Sequence, residues 1–410
     1  MWRPIELESR TRGCRGRVPC SRLDWIDASF EQGESVTPFQ LGTEVHIGSG
    51  CRSLLPQILE QRGWRRPLLV TDAGLAGQEL VQGLWDSVLA SGVEGRVFDA
   101  VESNPRTTTA EAIAQLAVET DRDLVLGLGG GSSLDAAKAA ALLATNGGRA
   151  LDYVGRQHYT CDPLPMVALP TTCGTGSEVT WVSVLTDVEK STKISIKGRQ
   201  MFPTVALVDP DFLETLPRVL VATTAMDALT HALEATIGRR RNPISDALAE
   251  KAILILLDVL PGLAMPSLDD ATREALMRAS TLAGLAFGNA DVGAVHCLSE
   301  SLGGLHDLPH GLCNSILLVP VLRAHGTAIQ SRLSELAGLI GGDQPPSAQG
   351  LLLRIEEIVE TLGIGGFDNL GVATSALPAL AEAAASNGSN ASNPRRMDAA
   401  DYRQILEALM

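Results

Sequence analysis

The sequence predicts an α/β domain followed by an all-α domain, and three observations carry that prediction. From Phe39 to about Asp209, short apolar runs alternate with helix-period segments. After Pro217 the β-branched runs vanish, and two loops rich in Gly, Ser and Thr stand directly after strand candidates. Strands alternating with helices make a mostly parallel sheet wrapped by helices, whereas helix periodicity alone makes a helical domain. The expected division is a peripheral arm over 1–36, an α/β domain over 37–217 and a helical domain over 218–410. A chain of 410 residues is long enough for two substantial cores.

Residues 1–36 are rich in Arg, Ser, Asp and Glu without a sustained period, so a loosely attached arm is expected there. Arg66–Asp72 (RPLLVTD) reads as a buried strand, followed by a helix through Ala90. Gly95–Phe98 reads as a strand, Ala110–Thr120 as a helix, Asp123–Gly129 (DLVLGLG) as a strand and Leu134–Thr145 as an Ala-rich helix. Met166–Leu169, Trp181–Thr186 and Val205–Val208 add strands, and DVEKSTK (187–193) reads as a hairpin. Beyond Pro217 the 3.6-residue period predicts helices over 221–238, 243–260, 269–287, 294–303, 313–325, 329–340, 348–361, 373–384 and 398–409. SNGSNASN (386–393) reads as a polar loop before the last helix.

Composition removes several function classes. A net charge of −15 repels phosphate backbones and anionic bilayers, so neither nucleic acid nor a membrane surface is an expected partner. The Arg239–Arg241 triplet is a short basic run of the kind that usually lies solvated. No apolar run reaches the roughly 18 residues of a membrane span, and MWRPIELESR lacks the apolar stretch of a secretion signal. The 7 cysteines are scattered without a CxxC pair, which predicts neither a disulfide framework nor a thiolate zinc site. A reduced, cytoplasmic protein is expected.

Four constellations carry chemistry. Gly127–Asp135 (GLGGGSSLD) stands between a strand and a helix, where glycines let the backbone approach a ligand and the helix N-terminus points its N–H groups at the same spot. That arrangement suits a diphosphate, although a Gly-rich turn without a ligand explains the same residues equally well. Pro170–Glu178 (PTTCGTGSE) again follows a strand, and its hydroxyls suit phosphate or ribose; capping of a helix is the plainer explanation. Two such loops at strand ends are more telling together, because α/β sheets bind nucleotides there. Asp72 ends its strand, where a carboxylate accepts hydrogen bonds from ribose hydroxyls and disfavours a 2′-phosphate; a helix N-cap for the following segment is the plainer explanation, and the two are compatible.

The fourth constellation is the sharpest. Asp227 and His231 are spaced i, i+4 and so share one helical face, and His296 and His310 follow in a largely apolar, Gly-containing segment. One carboxylate and three imidazoles suit a borderline divalent metal such as Fe²⁺ or Zn²⁺. A helix salt bridge and satisfied core histidines remain the alternative, since spacing alone does not bring three segments together.

At these residues the chain resembles the iron-containing (group III) alcohol dehydrogenase family. The resemblance runs from about Phe39 to the C-terminus through GGGSSLDAAK (129–138), PTTCGTGSEVT (170–180), ALVDPDF (206–212), MDALTHALEA (226–235), AVHCLSESLGG (294–304) and PHGLCNSILLVPV (309–321). It implies an N-terminal dinucleotide-binding domain with a parallel sheet, of the dehydroquinate synthase-like kind, and a C-terminal helical domain. It also implies metal ligands at Asp227, His231, His296 and His310, and cofactor contacts at Asp72, Gly129, Gly130, Gly131, Ser132, Asp135, Thr171, Thr172, Ser177 and Lys193. Lys193 has a plainer reading as an exposed hairpin lysine. The implied cofactors are Fe²⁺, with Zn²⁺ as the alternative, and NAD(H), with NADP(H) as the alternative. The implied partner is a small alcohol or aldehyde, and a homo-oligomer is expected.

Many members carry a further histidine four residues after the first of the late ligands, and here that position is Glu300. Glu300 and His306 are the candidates for a proton relay in its place. The substrate is not legible, because pocket residues come from scattered helices; Arg199 or the 239–241 triplet would suit an aldehyde bearing a carboxylate or phosphonate. Rival readings are a glycerol dehydrogenase- or maleylacetate reductase-like enzyme of the same fold, and a non-catalytic nucleotide-binding scaffold.

Overall fold

The computed structural model describes residues 38–265, 267–341 and 346–410, so the expected arm over 1–36 lies outside the described residues. The first part contains, in chain order, β1 (Glu44–Ile47), α1 (Leu55–Arg62), β2 (Pro67–Val70), α2 (Ala73–Ala76), α3 (Glu79–Ala90), β3 (Arg96–Phe98), α4 (Thr107–Glu119), β4 (Leu124–Gly129) and α5 (Gly131–Asn146). There follow β5 (Gly155–Arg156), β6 (Met166–Pro170), β7 (Val182–Asp187), β8 (Thr192–Lys197) and β9 (Val205–Val208). Six strands form one sheet in the order β1-β9-β6-β4-β2-β3, every pair parallel.

The strand side chains alternate between the two faces of this sheet, and each face meets its own helices. Leu68, Val70, Val125, Met166 and Ala168 pack with Ile113 of α4 and Leu134 of α5. Leu69, Leu124, Leu126, Leu128, Val167 and Leu169 pack on the other face with Leu55 and Leu59 of α1 and Val81 and Val88 of α3. A strand buried on both faces needs apolar residues at every position, which is why β2, β4, β6 and β9 read as continuous apolar runs.

Trp181–Thr186 does not join that sheet as expected. It forms β7, which pairs antiparallel with β8 in a separate sheet ordered β5-β8-β7. The burial of β7 alternates residue by residue, the pattern of a strand covered on one face only. The helix expected from Asp72 to Ala90 is broken into α2 and α3, because Gln78 takes an extended conformation before α3 begins. No element was expected before Arg66, where the structure places β1 and α1.

The second part is helical throughout: α6 (Arg218–Ile237), α7 (Pro243–Val259), α8 (Asp270–Ala290), α9 (Ala294–His306), α10 (His310–His325), α11 (Thr327–Ile340), α12 (Ala348–Thr361), α13 (Leu377–Ala385) and α14 (Ala399–Glu407). Helix α6 is buried nearly all round, from Val221 to Ile237, and is the central rod of this part. Among the described residues, no single helix is long and apolar enough to cross a membrane. Cys51, Cys173, Cys297 and Cys313 are free thiols, whereas Cys161 is disulfide-bonded, so a fully reduced chain does not hold at that residue.

Candidate active site

The central rod carries Asp227 and His231 one helical turn apart, both buried. His296 enters from the first turn of α9, and His310 is the first residue of α10. Gly311 makes the last approach possible: a Cβ there would stand 2.7 Å from the Thr223 carbonyl of α6. One donor atom from each of the four residues lies within 4.8 Å of all the others. Asp227 Oδ1 is the hub, 3.8 Å from His231 Nδ1, 3.7 Å from His296 Nε2 and 3.6 Å from His310 Nε2. The His310 side chain is 33% exposed while the other three are nearly sealed, so the cluster is approached from the His310 side.

The donor set has the electrostatics of a cation site. Burial and the neighbouring His296 hold His231 well below the usual histidine range, which keeps its ring neutral with a lone pair free. His231 Nδ1 is buried without any hydrogen-bond partner. A buried polar atom left unpaired is costly, and a metal ion is a partner that would satisfy it. The His231 ring is held in place by Phe287 of α8, stacked at 4.0 Å.

Two residues that sequence reading missed complete the cluster. Glu234 accepts from the Val295 backbone N–H at 2.7 Å and faces His296 Nδ1 at 2.5 Å. Burial alone would lower His296, but the Glu234 carboxylate overrides it and raises the ring instead. A carboxylate on the remote nitrogen fixes the tautomer that turns Nε2 toward the cluster. Asn314 donates to Asp227 Oδ1 at 2.6 Å and lies 3.2 Å from His296 Nε2 and 3.1 Å from His310 Nε2. The signal was helical spacing: Glu234 is three residues after His231, and Asn314 four after His310.

The other candidates gather at the carboxyl ends of three neighbouring strands. Asp72 follows β2, Gly129 ends β4, and Thr171 follows β6, with the Thr171 N–H donating to the Gly129 carbonyl at 3.0 Å. Gly129 has φ +146, and a Cβ there would lie 2.6 Å from Ser133 Oγ, so only glycine fits. Helix α5 starts at Gly131 with no side-chain cap on its first N–H groups, which leaves Ser132 and its neighbours at an open helix N-terminus. Thr172 stands directly opposite Gly130. Asp72 accepts from the Gly74 and Leu75 N–H groups at 2.9 and 3.0 Å, so the capping role is real.

Asp135 and Ser177 are engaged with protein partners. Asp135 accepts from Ser177 Oγ at 2.6 Å and from the Val184 N–H at 3.0 Å. Buried Lys138 donates to Ser177 Oγ at 2.7 Å and Thr180 Oγ1 at 3.1 Å, binding the loop to α5. Lys193 is not an exposed hairpin lysine: its ammonium donates to Asn104 Oδ1 at 2.6 Å, and burial lowers it to about 8. Glu300 lies one turn beyond His296, and its Oε2 accepts from Asn387 at 2.6 Å. His306 is exposed in the last turn of α9, and the structure does not bring it to the cluster.

Comparison with known proteins agrees with this arrangement. Residues 42–210 match the family model described as iron-containing alcohol dehydrogenase, and residues 221–410 match the C-terminal part of the same family. The NAD-dependent methanol dehydrogenase of Bacillus methanolicus is 33% identical over 367 residues, covering 88% of this chain and 96% of its own. The 1,3-propanediol dehydrogenase of Klebsiella pneumoniae is 36% identical over 375 residues, covering 88% and 96%. A crystal structure of 1,3-propanediol oxidoreductase superimposes with a TM-score of 0.88 at 33% identity, covering 92% of this chain and 100% of its own. Sulfoacetaldehyde reductase from Bifidobacterium kashiwanohense in complex with NAD⁺ superimposes with a TM-score of 0.83 at 28% identity, covering 92% and 99%. The chain belongs to the iron-containing alcohol dehydrogenase family.

Proposed function

We propose that this protein is a metal-dependent, NAD-linked alcohol dehydrogenase that interconverts a small alcohol and its aldehyde. The observation that carries the reading is the convergence of Asp227, His231, His296 and His310 from three helices onto one buried spot, with His231 Nδ1 unpaired. These four residues would hold a divalent ion, iron by family and equally compatible with zinc in donor chemistry. The Gly129–Gly131 cradle with Ser132, the Thr171–Thr172 segment and Asp72 would hold the dinucleotide, and Asp135, Ser177 and Lys138 would keep that loop in place. When bound, the metal supplies Lewis-acid polarisation of the substrate oxygen, and the nicotinamide supplies the hydride acceptor or donor.

The chain's own part is to orient and to exclude water. Phe287 walls the metal cluster on the His231 side, and the half-exposed His310 marks the side from which substrate enters. Oxidation of an alcohol also releases a proton. Glu300, on the same face as His296 and anchored by Asn387, is the group we assign to receive it. The partly buried Lys193, tied to Asn104, would add positive charge beside the dinucleotide.

A maleylacetate reductase-like enzyme without a full metal site and a non-catalytic scaffold are both disfavoured by the complete donor set. The test is metal analysis of wild type and His296→Ala, with NAD⁺ reduction by short primary alcohols as the second readout. Wild type is expected to retain about one metal ion and to reduce NAD⁺, and His296→Ala to lose both while staying folded. Full metal occupancy in His296→Ala would refute the ligand assignment.

A further inference from the structure

The cofactor loop over 171–181 takes its position from helices of the other part of the chain. At its start, Cys173 Sγ lies 3.4 Å from Thr224 Oγ1, and a Cβ on Gly174 would meet the Thr224 carbonyl of α6 at 2.7 Å. The second half rests on α8. Thr281 Oγ1 donates to the buried Glu178 carboxylate at 3.0 Å, and Trp181 Nε1 donates to the Gly288 carbonyl at 2.8 Å. Between these two bonds, Gly284 touches Gly176 backbone to backbone, so that a Cβ on Gly284 would lie 2.7 Å from Gly176 Cα and 2.9 Å from its carbonyl oxygen. Gly176 has φ +58, and a Cβ on it would lie 2.4 Å from Gly284 Cα, so this crossing needs glycine on both sides.

The opposite side of the loop is closed as well. A Cβ on Gly131 would stand 2.6 Å from Thr175 Cγ2, and one on Gly130 would stand 3.2 Å from Thr172 Cγ2. The loop is therefore sandwiched between the glycine cradle of α5 and the Thr281–Gly284–Gly288 face of α8. Helix α8 has no room to retreat, because Leu276, Met277, Ala279, Ala283 and Ala286 are buried in the helical core.

We infer that Gly284 and Thr281 of α8 are positioning residues for the dinucleotide. They set the height of the loop over the cradle and therefore the width of the cofactor slot. This rests on the reading that the loop and the cradle together hold NAD. The same helix presents Phe287 to His231, so one rod gauges both the cofactor slot and the metal cluster. A methyl group at position 284 must gain ~0.8 Å to reach ordinary carbon contact with Gly176, and that shift presses Thr172 and Thr175 against Gly130 and Gly131 of the cradle. Narrowing of that order should raise the Kd for NAD⁺ roughly tenfold or more, since small misplacements of binding groups are expensive.

The test compares metal-loaded wild type, Gly284→Ala, Thr281→Val and Thr281→Ser by NAD⁺ titration calorimetry, steady-state KM for NAD⁺ against kcat, metal content and thermal midpoint. Gly284→Ala and Thr281→Val are expected to raise Kd and KM for NAD⁺ far more than they lower kcat, with metal content unchanged. Thr281→Ser, which keeps the hydroxyl on Glu178, should stay near wild type. Wild-type NAD⁺ affinity in both Gly284→Ala and Thr281→Val would overturn the inference, as would a parallel loss of metal and fold in both. If wild type itself fails to bind NAD⁺, the cofactor reading falls and takes this inference with it, a result distinct from the others.

Discussion

Replacing Glu234 by glutamine tests whether the buried carboxylate behind His296 tunes the metal cluster. Glu234 is 2% exposed, accepts from the Val295 N–H at 2.7 Å and meets His296 Nδ1 at 2.5 Å. Glutamine keeps the shape but turns one of two acceptors into a donor, so it can satisfy Val295 or a protonated His296 Nδ1, and not both. If the amide nitrogen faces the ring, the imidazole must carry its proton on Nε2. That is the atom 3.7 Å from Asp227 Oδ1 and the one offered to a metal. Losing such a supporting carboxylate typically costs about 10–100-fold in metal affinity, or about 1.4–2.8 kcal/mol at 1.4 kcal/mol per tenfold. The metal-free protein should also lose about 1–3 kcal/mol through the unsatisfied buried group. Competition with a chelator of known affinity measures the first quantity, and denaturant unfolding of the metal-free protein the second. Unchanged metal affinity in Glu234→Gln would refute the reasoning, because no other acceptor is in contact with His296 Nδ1 among the described residues.

Two further outcomes concern the cofactor. Lys193 is lowered by burial to about 8, so its ammonium is present below that pH and lost above it, whereas an unfolded lysine keeps its proton to about 10.4. NAD⁺ affinity should therefore fall as pH rises through about 8, and Lys193→Gln should flatten the profile; an equally steep profile in the variant would remove Lys193 from the cofactor site. Asp72→Gly should improve the use of NADPH relative to NADH, measured as the ratio of kcat/KM values, because it removes a carboxylate that disfavours a 2′-phosphate. Its cost in stability should be only a few tenths of a kcal/mol, since glycine is a tolerable N-cap; wild type already preferring NADPH would contradict this reading.

What local pattern left undecided shares a cause. Trp181–Thr186 carries the same β-branched signal as a sheet strand, and which sheet it joins depends on pairing with Thr192–Lys197. The resemblance implied cofactor contacts at Ser177 and Asp135 as well. Their side chains bond to each other and to Lys138, a partnership formed by residues 39 and 42 positions apart that no local pattern announces. For Lys193, implied as a cofactor contact with an exposed hairpin lysine as the plainer reading, only the arrival of Asn104 and α9 decides its burial.

The sequence by itself determined where most strands and helices beyond Arg66 lie, since burial on one or both faces imposes a period on the apolar residues that survives without coordinates. It also determined the four donors as residue types and, through i, i+4 spacing, the shared face of Asp227 and His231. Only the tertiary structure brought α6, α9 and α10 to one point, enlisted Glu234 and Asn314 behind the donors, and laid the cofactor loop between the α5 cradle and α8. The physical reason is range. Periodicity and capping are set by neighbours within a turn or two, whereas a buried cluster is set by packing between segments tens of residues apart, and no local pattern encodes that meeting.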